Sequence, residues 1–178
     1  MLVRPARPDD AAGIAAVHVA AWQGAYAGIL PDAFLAGMSR TRQAAYYHAR
    51  ILAGPGVFVA ADPAVVGFAT AGQPRTRGLG DGEVETLYVL DDWREQGIGR
   101  GLLRAVAAHL HGAGCGSMFL WVLRDNPSRW FYQRMGGRAA MESNVHVAGT
   151  AVPQVAFAWD PIASLLDPSP SPSGRGPG

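Results

Sequence analysis

The sequence contains no lysine; all 15 of its Lys/Arg-type cations are arginine. The Gly-Lys-Ser/Thr ending of a phosphate-binding P-loop is therefore excluded. There is one cysteine, Cys115, so no internal disulfide can form and a reducing compartment is expected. It sits in Gly114-Cys115-Gly116 with no obvious partner for a nucleophile, and reads as a small buried apolar side chain. An excess of either charge is also missing: 15 basic against 14 acidic side chains leave a net +1. That balance argues against nucleic acid as a partner, which would need a basic face. No apolar run approaches the roughly 18 residues of a membrane span. Arg4, Arg7, Asp9 and Asp10 interrupt the apolar stretch that a signal peptide needs. A cytoplasmic location without a membrane partner is expected. No CxxC or HExxH occurs, and His109 and His111 point apart on one helix, so no metal site is expected.

What is present centres on Leu87–Leu103, LYVLDDWREQGIGRGLL. Leu87, Tyr88, Val89 and Leu90 are β-favouring, and Asp91-Asp92 break the strand. After Arg94-Glu95-Gln96-Gly97-Ile98-Gly99, the residues Ile98, Leu102, Leu103, Val106 and Leu110 recur at helical spacing, so one helix face is buried. A strand, a glycine turn and a helix place unpaired N–H groups and the positive dipole end at one point, which suits a phosphate. Glycines that merely close the turn are the plainer alternative.

The rest of the chain reads as one domain over 1–163, with a Pro/Ser/Gly-rich tail over 164–178 expected to be disordered. Met1–Arg4 is a short strand. Asp9 is the expected cap of a helix running through Trp22. Trp22 to Pro31 is a loop with aromatic anchors, and Pro31 opens a short helix through Met38. Ser39 caps a helix to about Leu52, with Tyr46, Tyr47 and Ile51 as packing residues. Val57–Ala61 and Val65–Ala71 are strands around a turn. Gln73–Gly82 is a polar, mobile loop, and Gly82–Leu90 is the central strand. Ser117–Leu123, a helix over Asn126–Met135, and strands near 138–147 and 152–159 complete the chain.

The run Arg94 to Gly99 after a strand ending in Leu87-Tyr88-Val89 resembles the acyl-CoA-binding motif of the GNAT superfamily of N-acetyltransferases. Leu120–Arg138, LWVLRDNPSRWFYQRMGGR, is similar to that family's fifth strand, tyrosine-bearing helix and glycine turn. The resemblance spans roughly residues 2 to 160. It implies an α/β fold of α+β type: a twisted, mostly antiparallel sheet of about seven strands, with helices on both faces. Strands near 83–90 and 117–123 should splay. It implies acetyl-CoA as co-substrate and an amine as acceptor. Backbone groups of Gln96, Gly97, Ile98, Gly99 and Arg100 would cradle the pyrophosphate, with Arg94 and Glu95 in the same turn. Backbone groups of Leu87, Tyr88 and Val89 would receive the pantetheine arm, near Asn126.

The transfer needs a neutral amine and a protonated leaving thiolate. Glu83 and Glu85 share a strand face; one is the expected base, Glu83 first by its position in the family pattern, and solvated rim carboxylates are the alternative. Tyr132 matches the family tyrosine that meets the thiol sulfur, so it is the expected acid. Asn126 also fits a helix cap before Pro127. Trp22 and Tyr26 either wall the acceptor site or pin the first helix. Small amines, amino acids, aminoglycosides and protein N-termini all remain open as acceptors, and a homodimer is left open. A CoA-binding sensor without turnover is the rival, and a nucleotide-binding protein is a third reading.

Overall fold

The computed structural model describes residues 2–167. Its strands are β1 (Leu2–Pro5), β2 (Val57–Asp62), β3 (Ala64–Gly72), β4 (Gly82–Val89), β5 (Met118–Leu123), β6 (Arg138–Val147) and β7 (Thr150–Trp159). Its helices are α1 (Ala11–Ala25), α2 (Asp32–Ala36), α3 (Arg40–Ala53), α4 (Ile98–Gly112) and α5 (Arg129–Arg134). The strands form one sheet in the order β1-β2-β3-β4-β5-β7-β6. Only β4–β5 is parallel; the other neighbours are antiparallel. This is the mixed, mostly antiparallel seven-stranded sheet that the sequence led us to expect.

Strand alternation divides the core between two faces. Val57, Val59 and Phe68 meet Ile14 and Val17 of α1 and Tyr47 of α3. Ala60, Ala69, Ala71 and Val84 turn the other way, onto Leu102, Leu103, Val106 and Leu110 of α4. Those α4 side chains are buried, as their spacing required. Each contributes about 1.5–3 kcal/mol through burial, and this fastens the start of α4 beside β4. Under α2, a third cluster joins Tyr26, Leu30 and Leu35 to Leu123 of β5.

Local expectations were corrected at several points. Asp10, not Asp9, secures the start of α1: its Oδ2 accepts from the Arg7 N–H at 2.7 Å and from Arg4 Nη1 at 2.7 Å. The 3-10 turn over Pro8–Asp10 brings Asp10 above Arg4 of β1, and that contact holds its carboxyl below the usual range. Helix α1 runs through Trp22 as expected and continues to Ala25, three residues into the expected loop. Pro31 is the N-cap of α2, one place before the first helical residue. Ser39 caps α3 as expected, its Oγ accepting from the Arg42 N–H at 3.2 Å. Tyr47 is buried, but Tyr46 is 53% exposed and is not core. Helix α5 begins at Arg129, three residues later than expected. Ile162 and Leu165 pack into the core after β7. Most of the expected tail, 168–178, lies outside the described residues.

Candidate functional site

Strands β4 and β5 pair only at Gly82–Met118, Glu83–Phe119 and Val84–Leu120. Beyond Val84, β4 stays with β3 and β5 stays with β7, so the two central strands part as expected. A bulge accompanies the parting. Ala71 faces Val84 and Thr70 faces Thr86, which leaves Glu85 as the extra residue. Two consecutive residues, Glu85 and Thr86, therefore line one cavity on the α1/α3 face. The bulge also resets the alternation: Leu87 and Val89 pack on the α4 side, while Tyr88 turns to His18 and Trp22.

The turn into α4 has the makings of an anion cradle. Gly97 is its N-cap with φ 79°, a left-handed conformation that favours glycine, and no side chain caps the helix. Glu95 also lies left-handed, at φ 62°. Gly101 already donates to the Gly97 carbonyl at 3.0 Å. The N–H groups of Ile98, Gly99 and Arg100 before it belong to the helix's unpaired set. Nothing crowds the position where a Gly97 Cβ would stand. Free donors, a dipole end and open space fit a pyrophosphate. Of the flanking side chains, Arg94 is paired with Asp91 at 2.9 Å, Gln96 Nε2 donates to the Asp92 carbonyl at 3.4 Å, and Arg100 is exposed.

At the strand divergence stand Tyr26, Tyr88, Asn126 and Tyr132. Asn126 Oδ1 accepts from the Ser128 N–H at 2.9 Å, securing the turn into α5, and its Nδ2 donates to Tyr26 Oη at 3.5 Å. Tyr132 is held by Phe131, Phe157 and Trp159. Burial, then the neighbouring Tyr26, pushes the phenols of Tyr132 and Tyr88 well above their ordinary range. Both remain protonated at neutral pH, so Tyr132 has a proton to donate. Trp22 meets Tyr26 edge-on at 4.8 Å between ring centres.

The two expected acids differ sharply. Glu83 is 0% exposed. Its carboxylate accepts from the Arg75 backbone N–H at 2.9 Å and from Arg75 Nη2 at 2.8 Å, with Nε also in range. Glu85 is half-buried, 3.7 Å from Arg50 Nη2, and opens into a cavity of about 400 Å³. A Cβ at Gly72 would collide with the Glu85 carboxylate, so glycine there makes its room. Deeper in, His18 Nδ1 and Tyr47 Oη are 2.7 Å apart, and the Thr70 and Thr86 hydroxyls are 2.7 Å apart. Burial pushes His18 down to about 4, so it is neutral at pH 7.

From the sequence His18 reads as a solvent-facing or core-edge residue of the first helix, and Arg42, Tyr47, Thr70 and Thr86 are not singled out for this site. One signal was present for His18: its i,i+4 spacing to Trp22, realised as stacked rings 5.4 Å apart. Among the described residues no group of three or more His, Cys, Asp or Glu gathers to hold a metal, and no helix is long and apolar enough to cross a membrane.

The model of the acetyltransferase (GNAT) family matches residues 20–137. An uncharacterized N-acetyltransferase of Bacillus subtilis, YuaI, is 37% identical over 166 residues, covering 92% of this chain and 95% of the relative. Among solved structures, a GCN5-related N-acetyltransferase from Rhodopseudomonas palustris superposes with a TM-score of 0.70 at 21% identity, covering 89% of this chain and 94% of that one. The yncA acetyltransferase of Salmonella typhimurium, solved with acetyl-CoA, gives 0.68 at 23% identity, covering 97% and 98%. The chain belongs to the GNAT family of acetyltransferases.

Proposed function

We propose that the chain transfers the acetyl group of acetyl-CoA to a primary amine directly, without a covalent enzyme intermediate. The observation that carries this reading is the uncapped start of α4, set beside strands that part after Val84. That pairing offers a phosphate cradle and a cleft for the extended arm of one ligand. The acetyl-CoA held by the Salmonella structure supports the same reading. Bound in the cleft, acetyl-CoA supplies a thioester carbonyl, which backbone N–H groups near Val89 polarise.

Glu85 takes the base role in preference to Glu83, because the Glu83 carboxylate is sealed beneath Arg75 while Glu85 faces the cavity. The amine nitrogen bonds to the carbonyl carbon and the C–S bond breaks. Before the attack one ammonium proton goes to Glu85, directly or through water; as the C–S bond breaks the thiolate takes the Tyr132 proton, and the second proton that the nitrogen sheds in becoming an amide returns to Tyr132 through water. A cytoplasmic location is part of this proposal and rests on the lone free thiol of Cys115.

The test is thiol release from acetyl-CoA with a panel of amines. Glu85→Gln should lower turnover by roughly 10²-fold, and Glu83→Gln should lower it much less. The reverse ranking would return the base role to Glu83. Tight acetyl-CoA binding with no amine-dependent thiol release would overturn the transfer and leave a CoA-binding sensor.

A further inference from the structure

The cavity beside the β4 bulge carries charges of both signs in a defined arrangement. From α3 comes Arg42, at its first turn, while Arg50 of the same helix reaches Glu85 without being part of the lining. From the loop before β4 comes Arg75, and from β4 comes Glu85. The α1 contribution, His18, is neutral. Two of these cations are engaged by the protein. Arg50 donates to the Ala71 carbonyl at 2.6 Å and sits 3.7 Å from Glu85. Arg75 directs Nε and Nη2 to Glu83, which keeps its Nη1 edge for another acceptor. Among the described residues no carboxylate stands within ion-pairing distance of Arg42.

We propose that this cavity is the acceptor subsite for an amine that also bears a carboxylate, an α-amino acid in its zwitterionic form. The inference rests on the acetyl-transfer reading above and names its substrate class. Arg42 and the Nη1 edge of Arg75 receive the carboxylate, and Glu85 receives the ammonium. Guanidinium groups suit a planar carboxylate because their N–H donors match its two oxygens. The alternative acceptors fit poorly. A polyamine or an aminoglycoside brings several ammonium groups, and among the described residues Glu85 is the one carboxylate lining this cavity. Glu83 offers no second, because Arg75 covers it. A volume of about 400 Å³ suits a small molecule. The exposed ring of Tyr46, edge-on to Tyr47 at 5.1 Å, gives the acceptor's side chain an aromatic wall.

The test compares kcat/KM for leucine, phenylalanine and glutamine with that for their carboxamides, by thiol release from acetyl-CoA. The free acids should be preferred by roughly 10- to 100-fold, the scale of losing hydrogen bonds to a charged group. Arg42→Ala should shrink that ratio, and Arg42→Glu should bring it to one or below. Equal rates for acid and amide, or a better rate with putrescine, would overturn the proposal. Calorimetry with the N-acetylated acids and N-acetylated amides reads the same preference without turnover. An inactive protein that still binds the acids through Arg42 would refute acetyl transfer and keep the subsite. An active protein with no acid preference would do the opposite. Failure to bind any of the acids at millimolar concentration would also overturn the proposal.

Discussion

Arg75→Ala puts the closure of Glu83 to a direct test. On most surfaces, removing an arginine whose side chain is 66% exposed would cost under about 1 kcal/mol. Here the partner carboxylate is 1% exposed, and Arg75 supplies all of its side-chain donors. Truncation leaves a buried charge without its counter-ion, which typically costs about 3–5 kcal/mol. The Arg75 backbone N–H survives the substitution and still donates to Oε2 at 2.9 Å, which favours the lower end. For a domain of this size, about 3 kcal/mol corresponds to a fall in Tm of roughly 6–12 °C. Urea denaturation should show a lower midpoint at an unchanged slope. Adding Glu83→Gln to Arg75→Ala removes the stranded charge and should recover much of the loss, which a double-mutant cycle would register as coupling. A single-variant loss below about 1 kcal/mol would show that Glu83 is not sealed as a charge. The case for Glu85 over Glu83 as the base would then collapse.

Three further outcomes follow from the same structure. Gly97→Val forces a β-branched residue into the left-handed cap and fills the space beside the free α4 N–H groups; acetyl-CoA affinity measured by calorimetry should fall by ~10-fold or more, and an unchanged affinity in a folded variant would rule out the cradle. Tyr132→Phe keeps the ring among Phe131, Phe157 and Trp159 but removes the proton, so turnover should drop roughly 10²-fold while acetyl-CoA binding changes by no more than ~1 kcal/mol. Near-wild-type turnover, with chemistry shown to be rate-limiting, would make Tyr132 a packing residue. His18 is held at about 4, below its ordinary 6.5, so the unfolded chain takes up a proton in that window while the folded chain does not. Stability should therefore fall as pH drops from 6.5 toward 4, by at most ~3 kcal/mol. His18→Gln should flatten that slope, and parallel slopes for both proteins would contradict the burial argument.

The parts of this protein that the sequence determined by itself are those ruled by near neighbours. The apolar stripe from Ile98 to Leu110 announces α4 because helical burial has a period of its own. Ser39 announces the start of α3 because a cap needs only the N–H of the third residue on. Gly97 marks the turn into α4 because its conformation is local. The acids at 83 and 85 and the tyrosine at 132 were identifiable as types in a family pattern, although their environments were not. Those environments depended on partners far away in the chain. The bulge at Glu85 exists only against β3, and it alone brings Glu85 and Thr86 into one cavity. Asp10 rather than Asp9 secures α1 because Arg4 of β1 stands beneath it. Glu83 is closed because a loop eight residues back lays Arg75 across it. His18 is neutral because α3 and β4 exclude water from its ring. Periodicity and capping act over a few bonds, whereas desolvation and ion pairing are decided by whichever side chains the completed sheet brings within a few ångströms.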